Sequence, residues 1–131
     1  MLEQALIPNG FSWLSGEDGT AIAYNAAGGN GCISVTANVA PKLCAEMQSA
    51  WRTGNHEEAM QIQRRLMPLH TALFAEPSPA GAKYAVSLLG FCAEDCRLPI
   101  VPLSEMGKSR IAAAMADLNL IGGSAASQRV A

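Results

Sequence analysis

The stretch from Gly28 to Pro41, GGNGCISVTANVAP, restricts the fold of this 131-residue chain more than any other. It opens on Gly28-Gly29-Asn30-Gly31, a glycine-rich turn. Cys32-Ile33-Ser34-Val35-Thr36 follows, small or β-branched, and predicts a short buried strand. Asn38 and Pro41 then predict a turn into a helix, with the proline at the first helical position, where its missing N–H is no loss. A glycine turn, an apolar strand, a loop and a helix in that order make a parallel α/β unit. In such sheets ligands sit on the loops at the carboxyl ends of the strands. The stretch therefore points to a place for a site, without naming a substrate.

The residues before it extend the same pattern. Phe11 to Ser15, FSWLS, is a second short strand candidate, followed by a Gly16-Glu17-Asp18-Gly19 loop. Asp18 or Thr20 is placed to cap a helix over about Thr20–Ala27, which Gly28-Gly29 stops. Phe11 to Pro41 thus reads as one β-loop-α-turn-β unit, parallel and with a right-handed crossover. Upstream, Leu2–Ile7 reads as the last turns of a helix ended by Pro8-Asn9-Gly10. After Pro41 the character changes to helix. Lys42–Thr53 is amphipathic, with Leu43, Met47, Ala50 and Trp51 on one side. Gly54 stops it. Asn55 caps the next helix, with Glu57 and Glu58 in its first turn and an end near Ala75. Pro68 inside that helix predicts a kink or a break. Pro77-Ser78-Pro79 is a stop, Ala80–Leu89 a further helix closed by Gly90, and Cys92–Pro102 irregular. Ser104 caps a last helix over about Glu105–Asn119, and 122–131 reads as a disordered tail.

Length allows one domain. Only 15% of the residues are charged, against about 25% in an average soluble domain. Two explanations stand: a compact alanine- and glycine-rich domain, or a surface covered by a partner or by a further part of the same fold. A net charge of −2 gives no electrostatic case for nucleic acid, and no apolar run reaches the length of a membrane span. The amino terminus lacks the pattern of a signal peptide, so the expected compartment is the cytoplasm. Cys32, Cys44, Cys92 and Cys96 read as free thiols there. The Cys92-x3-Cys96 spacing has no second close ligand pair, so neither a metal site nor a cofactor is expected.

The runs LSGEDGTAIAYNAAGGNGCISVTANVAPKLCAEM, RRLMPLH, FAEPSPAGAKYA and RLPIVPLSE resemble, in unbroken order from about Phe11 to Ile121, the carboxyl-terminal part of the dihydrodipicolinate synthase family. That family belongs to the N-acetylneuraminate lyase superfamily. The resemblance implies a (β/α)8 TIM barrel with extra helices, commonly a homotetramer. It also implies a reaction, the condensation of pyruvate with aspartate semialdehyde in lysine biosynthesis, through a lysine Schiff base and a proton-relaying tyrosine. Phe11–Ser15 then corresponds to the seventh strand and Cys32–Thr36 to the eighth. The expected fold is an incomplete barrel, its last two strands and their helices in 1–52, with a helical region in 53–121. As a stand-alone chain it is mostly helical.

The same correspondence puts the Schiff-base lysine on the sixth strand, before Met1, and the relay tyrosine earlier still. Lys42, Lys83 and Lys108 all fall outside the strands, so no catalytic residue is assigned. A Schiff-base lysine needs a desolvated pocket, and two strands cannot enclose one. Three positions carry over as substrate-binding candidates. Ile33 matches the residue whose backbone lines the pyruvate pocket; its side chain reads as core. Gly16 and Glu17 match the rim of that pocket, the plainer reading being an ordinary strand-to-helix turn. Asn38 reads as a turn residue, Tyr24 as packing, and His70 as a packing or partner-facing histidine with no assignable carboxylate. Glu17 and Asp18 are adjacent and point opposite ways, which excludes an acid pair of the glycosidase kind. The expected function is a segment of a synthase, inactive alone unless another chain completes the pyruvate pocket. The alternative is a non-catalytic truncated copy that associates with itself or with a full-length subunit, and a gene remnant is a third possibility.

Overall fold

The computed structural model describes residues 10–122. The expected helix at Leu2–Ile7 and nearly all of the expected tail lie outside them. Two strands, β1 (Leu14–Ser15) and β2 (Gly31–Cys32), pair in parallel, with Leu14 opposite Gly31 and Ser15 opposite Cys32. Between them come a 3₁₀ turn, Asp18–Thr20, and helix α1, Ala21–Ala26. Gly28, at φ +100°, turns the chain back toward β2, a conformation glycine adopts without a side-chain clash. A second 3₁₀ turn, Thr36–Asn38, leads into α2 (Pro41–Arg52), with Pro41 in the first turn as expected. Helices α3 (His56–Leu73), α4 (Ala80–Leu88) and α5 (Glu105–Asp117) complete the described chain.

Both strands are shorter than their sequences predicted. Bonds from Asn30 N to Trp13 O (2.7 Å) and from Ile33 N to Ser15 O (2.8 Å) carry the ladder one step past each end. Beyond Ile33 the chain leaves the sheet: Val35 is already helical, at φ −73° and ψ −41°. The reason is competition for donors. The N–H groups of Val35 and Thr36 are taken by the Asp18 carboxylate rather than by a strand. That carboxylate was expected to cap α1, and it does not. Thr20 occupies the N-cap position without making a side-chain cap bond.

Pro68 neither kinks α3 enough to divide it nor breaks it. Pro68 and Arg64, whose carbonyl lacks its usual helical donor, both lie on the exposed face. The cap at Asn55 is as expected: its Oδ1 accepts from Glu58 N, while its Nδ2 donates to Glu58 Oε2 at 2.6 Å. Helix α3 is the spine of the molecule, packed against α2, α4 and α5. Met47, Leu66, Leu69, Leu73, Ile111 and Met115 are fully buried between these helices. Ile22 of α1, Val39 and Ala40 join the same core, so the strand unit is seated on the helices.

Candidate strand-end site

The loops after β1 and β2 lie side by side, because parallel strands bring both carboxyl ends to one edge. After β1, Ser15 builds the turn: its hydroxyl accepts from Glu17 N (3.0 Å) and donates to Glu17 O (3.1 Å). Gly16 stands open, with nothing near the place of a Cβ. Glu17 is exposed, and its Oε1 accepts from Gly19 N at 2.9 Å. Ile33 follows β2 directly. Its side chain is 70% exposed, which overturns its reading as a core isoleucine: no third strand covers it among the described residues. The three candidates from the sequence therefore share one edge, the two loops joined through the bond from Ile33 N to Ser15 O.

Behind this edge lies a polar network that sequence reasoning missed. Asp18 is 1% exposed, while its neighbour Glu17 faces out, so the two carboxylates do point apart. Asp18 Oδ1 accepts from the Ser34 hydroxyl, and Oδ2 accepts from Val35 N at 2.9 Å and Thr36 N at 3.1 Å. Ser34 Oγ in turn accepts from Ala37 N at 2.8 Å. Thr36 Oγ1 meets His70 Nδ1 at 2.7 Å. Gln63 Nε2 donates to the carbonyls of Asp18 (3.1 Å) and Gly19 (3.3 Å). Gln63 and His70 stand seven residues apart, on the same face of α3 as Ile62, Leu66, Leu69 and Leu73. Two polar residues at apolar positions of a helical stripe were the signal available in the sequence.

Burial sets the electrostatics. Desolvation is the main cause that lowers the His70 pKa below its ordinary 6.5, against the charges of Asp18 and Glu17, which pull it up. The ring is neutral, and its Nε2 has no hydrogen-bond partner. Cys32 is pushed up to about 11, by desolvation first and then by the Asp18, Cys44 and Glu17 charges. Desolvation likewise raises Cys44. These thiols are poor nucleophiles at neutral pH.

Asn38 donates to Val35 O at 2.9 Å, the turn role expected of it. The Tyr24 ring occupies the space a Cβ on Gly29 would need, which is packing. None of the three lysines lies on a strand. Lys42 pairs with Glu46 on α2, Lys108 donates to Glu94 at 2.8 Å, and Lys83 donates to the Asp95 carbonyl. Among the described residues, no three His, Cys, Asp or Glu side chains gather to hold a metal ion, and no helix is long and apolar enough to cross a membrane. A groove of about 610 Å³ between α3 and α5 is lined by neither Gly16, Glu17 nor Ile33. The edge thus offers main-chain donors and acceptors and one exposed carboxylate, with no amine.

Comparison with known proteins places this arrangement. The dihydrodipicolinate synthetase family matches residues 3–118. The chain is 64% identical over 111 residues to the 4-hydroxy-tetrahydrodipicolinate synthase of Acidiphilium cryptum, covering 85% of this chain and 38% of that protein. The dihydrodipicolinate synthase of Thermotoga maritima superposes with a TM-score of 0.83 at 38% identity, over 85% of this chain and 38% of its own. The enzyme of Acinetobacter baumannii, solved in complex with pyruvate, gives 0.80 at 32% identity, again over 85% and 38%. The chain therefore spans little more than a third of the length of these relatives. Its two strands and their helices are part of a TIM barrel, as the sequence led one to expect.

Proposed function

Because this chain belongs to the dihydrodipicolinate synthetase family, we propose that it forms the closing segment of a class I aldolase-type synthase. Its strand-end edge supplies one wall of a keto-acid pocket, and the remaining strands supply the amine. In this reading the Ile33 main chain lines the pocket, and Gly16 and Glu17 stand at its rim. Pyruvate is the keto acid and aspartate semialdehyde the acceptor. The rest of the barrel comes from sequence joined to this segment or from another polypeptide. The observation that carries the reading is the pair of strand ends brought to one edge, in a chain that covers 38% of the length of its Acidiphilium cryptum relative. The position of the three lysines supports inactivity of this segment by itself. Each is paired with a carboxylate or a carbonyl, and none stands on a strand where a desolvated pocket would depress its pKa. The four free thiols fit a reducing, cytoplasmic setting.

Borohydride trapping with pyruvate tests this. The 131-residue chain alone is expected to gain no reduced adduct. When mixed with a protein that carries the six preceding strands, the adduct is expected on that partner. A pyruvate adduct on Lys42, Lys83 or Lys108 would overturn the reading.

A second reading is an interaction module that uses the same face without chemistry. Phe11, Leu14 and Ile33 are exposed beside a sheet of two strands, and an uncovered apolar face favours association. Size-exclusion chromatography separates the two. Tight binding to a full-length synthase subunit, with no gain of trapping, supports the module.

A further inference from the structure

We propose that Asp18 is a positioning residue for the pocket wall: its carboxylate holds the main chain of Ser34–Thr36, and with it the Ile33 backbone, where the keto acid must meet it. The inference rests on the reading of Ile33 as pocket wall given above. Its own support is independent of that reading. The ladder holds Ile33 only from the amino-terminal side, through Ser15 O. On the other side, the turn 34–37 hangs on Asp18. Three donors from three successive residues converge on one carboxylate, and the Ser34 hydroxyl passes the hold on to Ala37. Asp18 is itself tied to α3 through Gln63, and Thr36 is tied to the same helix through His70. The helical core thus sets the place of the wall. A carboxylate this deeply buried is tolerable only when its oxygens are filled by donors, and charge-assisted bonds of this kind are the strong ones. Glu17, the neighbour that resemblance points to, is exposed and bonds within its own turn.

The test is amide NMR of the uniformly ¹⁵N-labelled 131-residue chain. Asp18→Asn keeps one oxygen acceptor and loses the charge and the second oxygen. The amides of Ile33, Val35 and Thr36 are expected to move and to exchange with solvent about tenfold faster, while α5 stays in place. Glu17→Gln is expected to leave the three signals unmoved. Ile111→Ala, a core truncation on α5, away from the carboxylate and its ties to α3, controls for plain destabilisation. If Asp18→Asn does not fold, Ser34→Ala decides: it removes one donor without leaving an unpaired charge, and the Val35 and Ala37 amides are expected to move. The proposal is overturned if these signals keep their native positions, or if Ile111→Ala or Glu17→Gln moves them as far. Failed pyruvate trapping in the mixture that carries the preceding strands would remove the pocket and leave the amide shifts as they are; unmoved amides would leave trapping as it is.

Discussion

His70 holds Thr36 with one ring nitrogen and buries the other without a partner. The sign of its contribution to stability follows from its lowered pKa. The unfolded chain takes up a proton near pH 6.5, the folded chain only at lower pH. Between those values the unfolded state binds more protons, so stability rises with pH. The contribution is complete above pH 6.5 and is lost as the pH falls below it. Urea midpoints from pH 8 to pH 5 are expected to drop on the acid side, and His70→Gln is expected to flatten that slope. The same variant should cost about 1–3 kcal/mol at pH 8, through the lost bond to Thr36. The thiols divide in the same way. Cys92 is exposed, whereas burial raises Cys44 and Cys32, the latter to about 11. Iodoacetamide at pH 8, read by peptide mass, is expected to modify Cys92 well before Cys44 or Cys32.

Among the elements, α3 and α4 meet through one close fit. Gly81 of α4 sits against the Leu73 main chain, and a Cβ there would run into the Leu73 carbonyl. Backbone cannot rotate away as a side chain can, so Gly81→Ala is expected to destabilise by about 1–3 kcal/mol, read from the urea midpoint at unchanged slope. Helix α5 is held at its start by Ser104, whose Oγ accepts from Gly107 N at 3.0 Å and donates to Glu76 Oε1 at 2.6 Å. Ser104 N also donates to Glu76 Oε2, and these bonds lower the Glu76 pKa. Ser104→Ala is expected to cost about 0.5–2 kcal/mol, the usual range for a lost cap.

For the whole molecule, the outcome turns on the sheet. Two parallel strands leave N–H and C=O groups on both flanks, and Leu14 and Ile33 are exposed beside them. The isolated chain is expected to self-associate at high concentration. Leu14→Lys is expected to weaken that association by an order of magnitude, without lowering stability, because the replaced side chain lies largely outside the core. Sedimentation velocity over a hundredfold concentration range reads both states.

Local physics fixed much of this molecule in the sequence. The apolar stripes of α2 and α3, Pro41 at a helix start, and the Asn55 and Ser104 caps all follow from residues close together in the chain. The lengths of the strands do not. Val35 and Thr36 are both β-branched and favour strand, yet a carboxylate 17 and 18 residues away takes their N–H groups and turns them out of the sheet. Nor does the exposure of Ile33, which depends on strands that lie elsewhere in the fold. Propensity acts over a few residues, but burial and the capture of backbone donors depend on which distant groups arrive beside them. Only the tertiary structure could therefore assign Asp18, Thr36, Gln63 and His70 to one network.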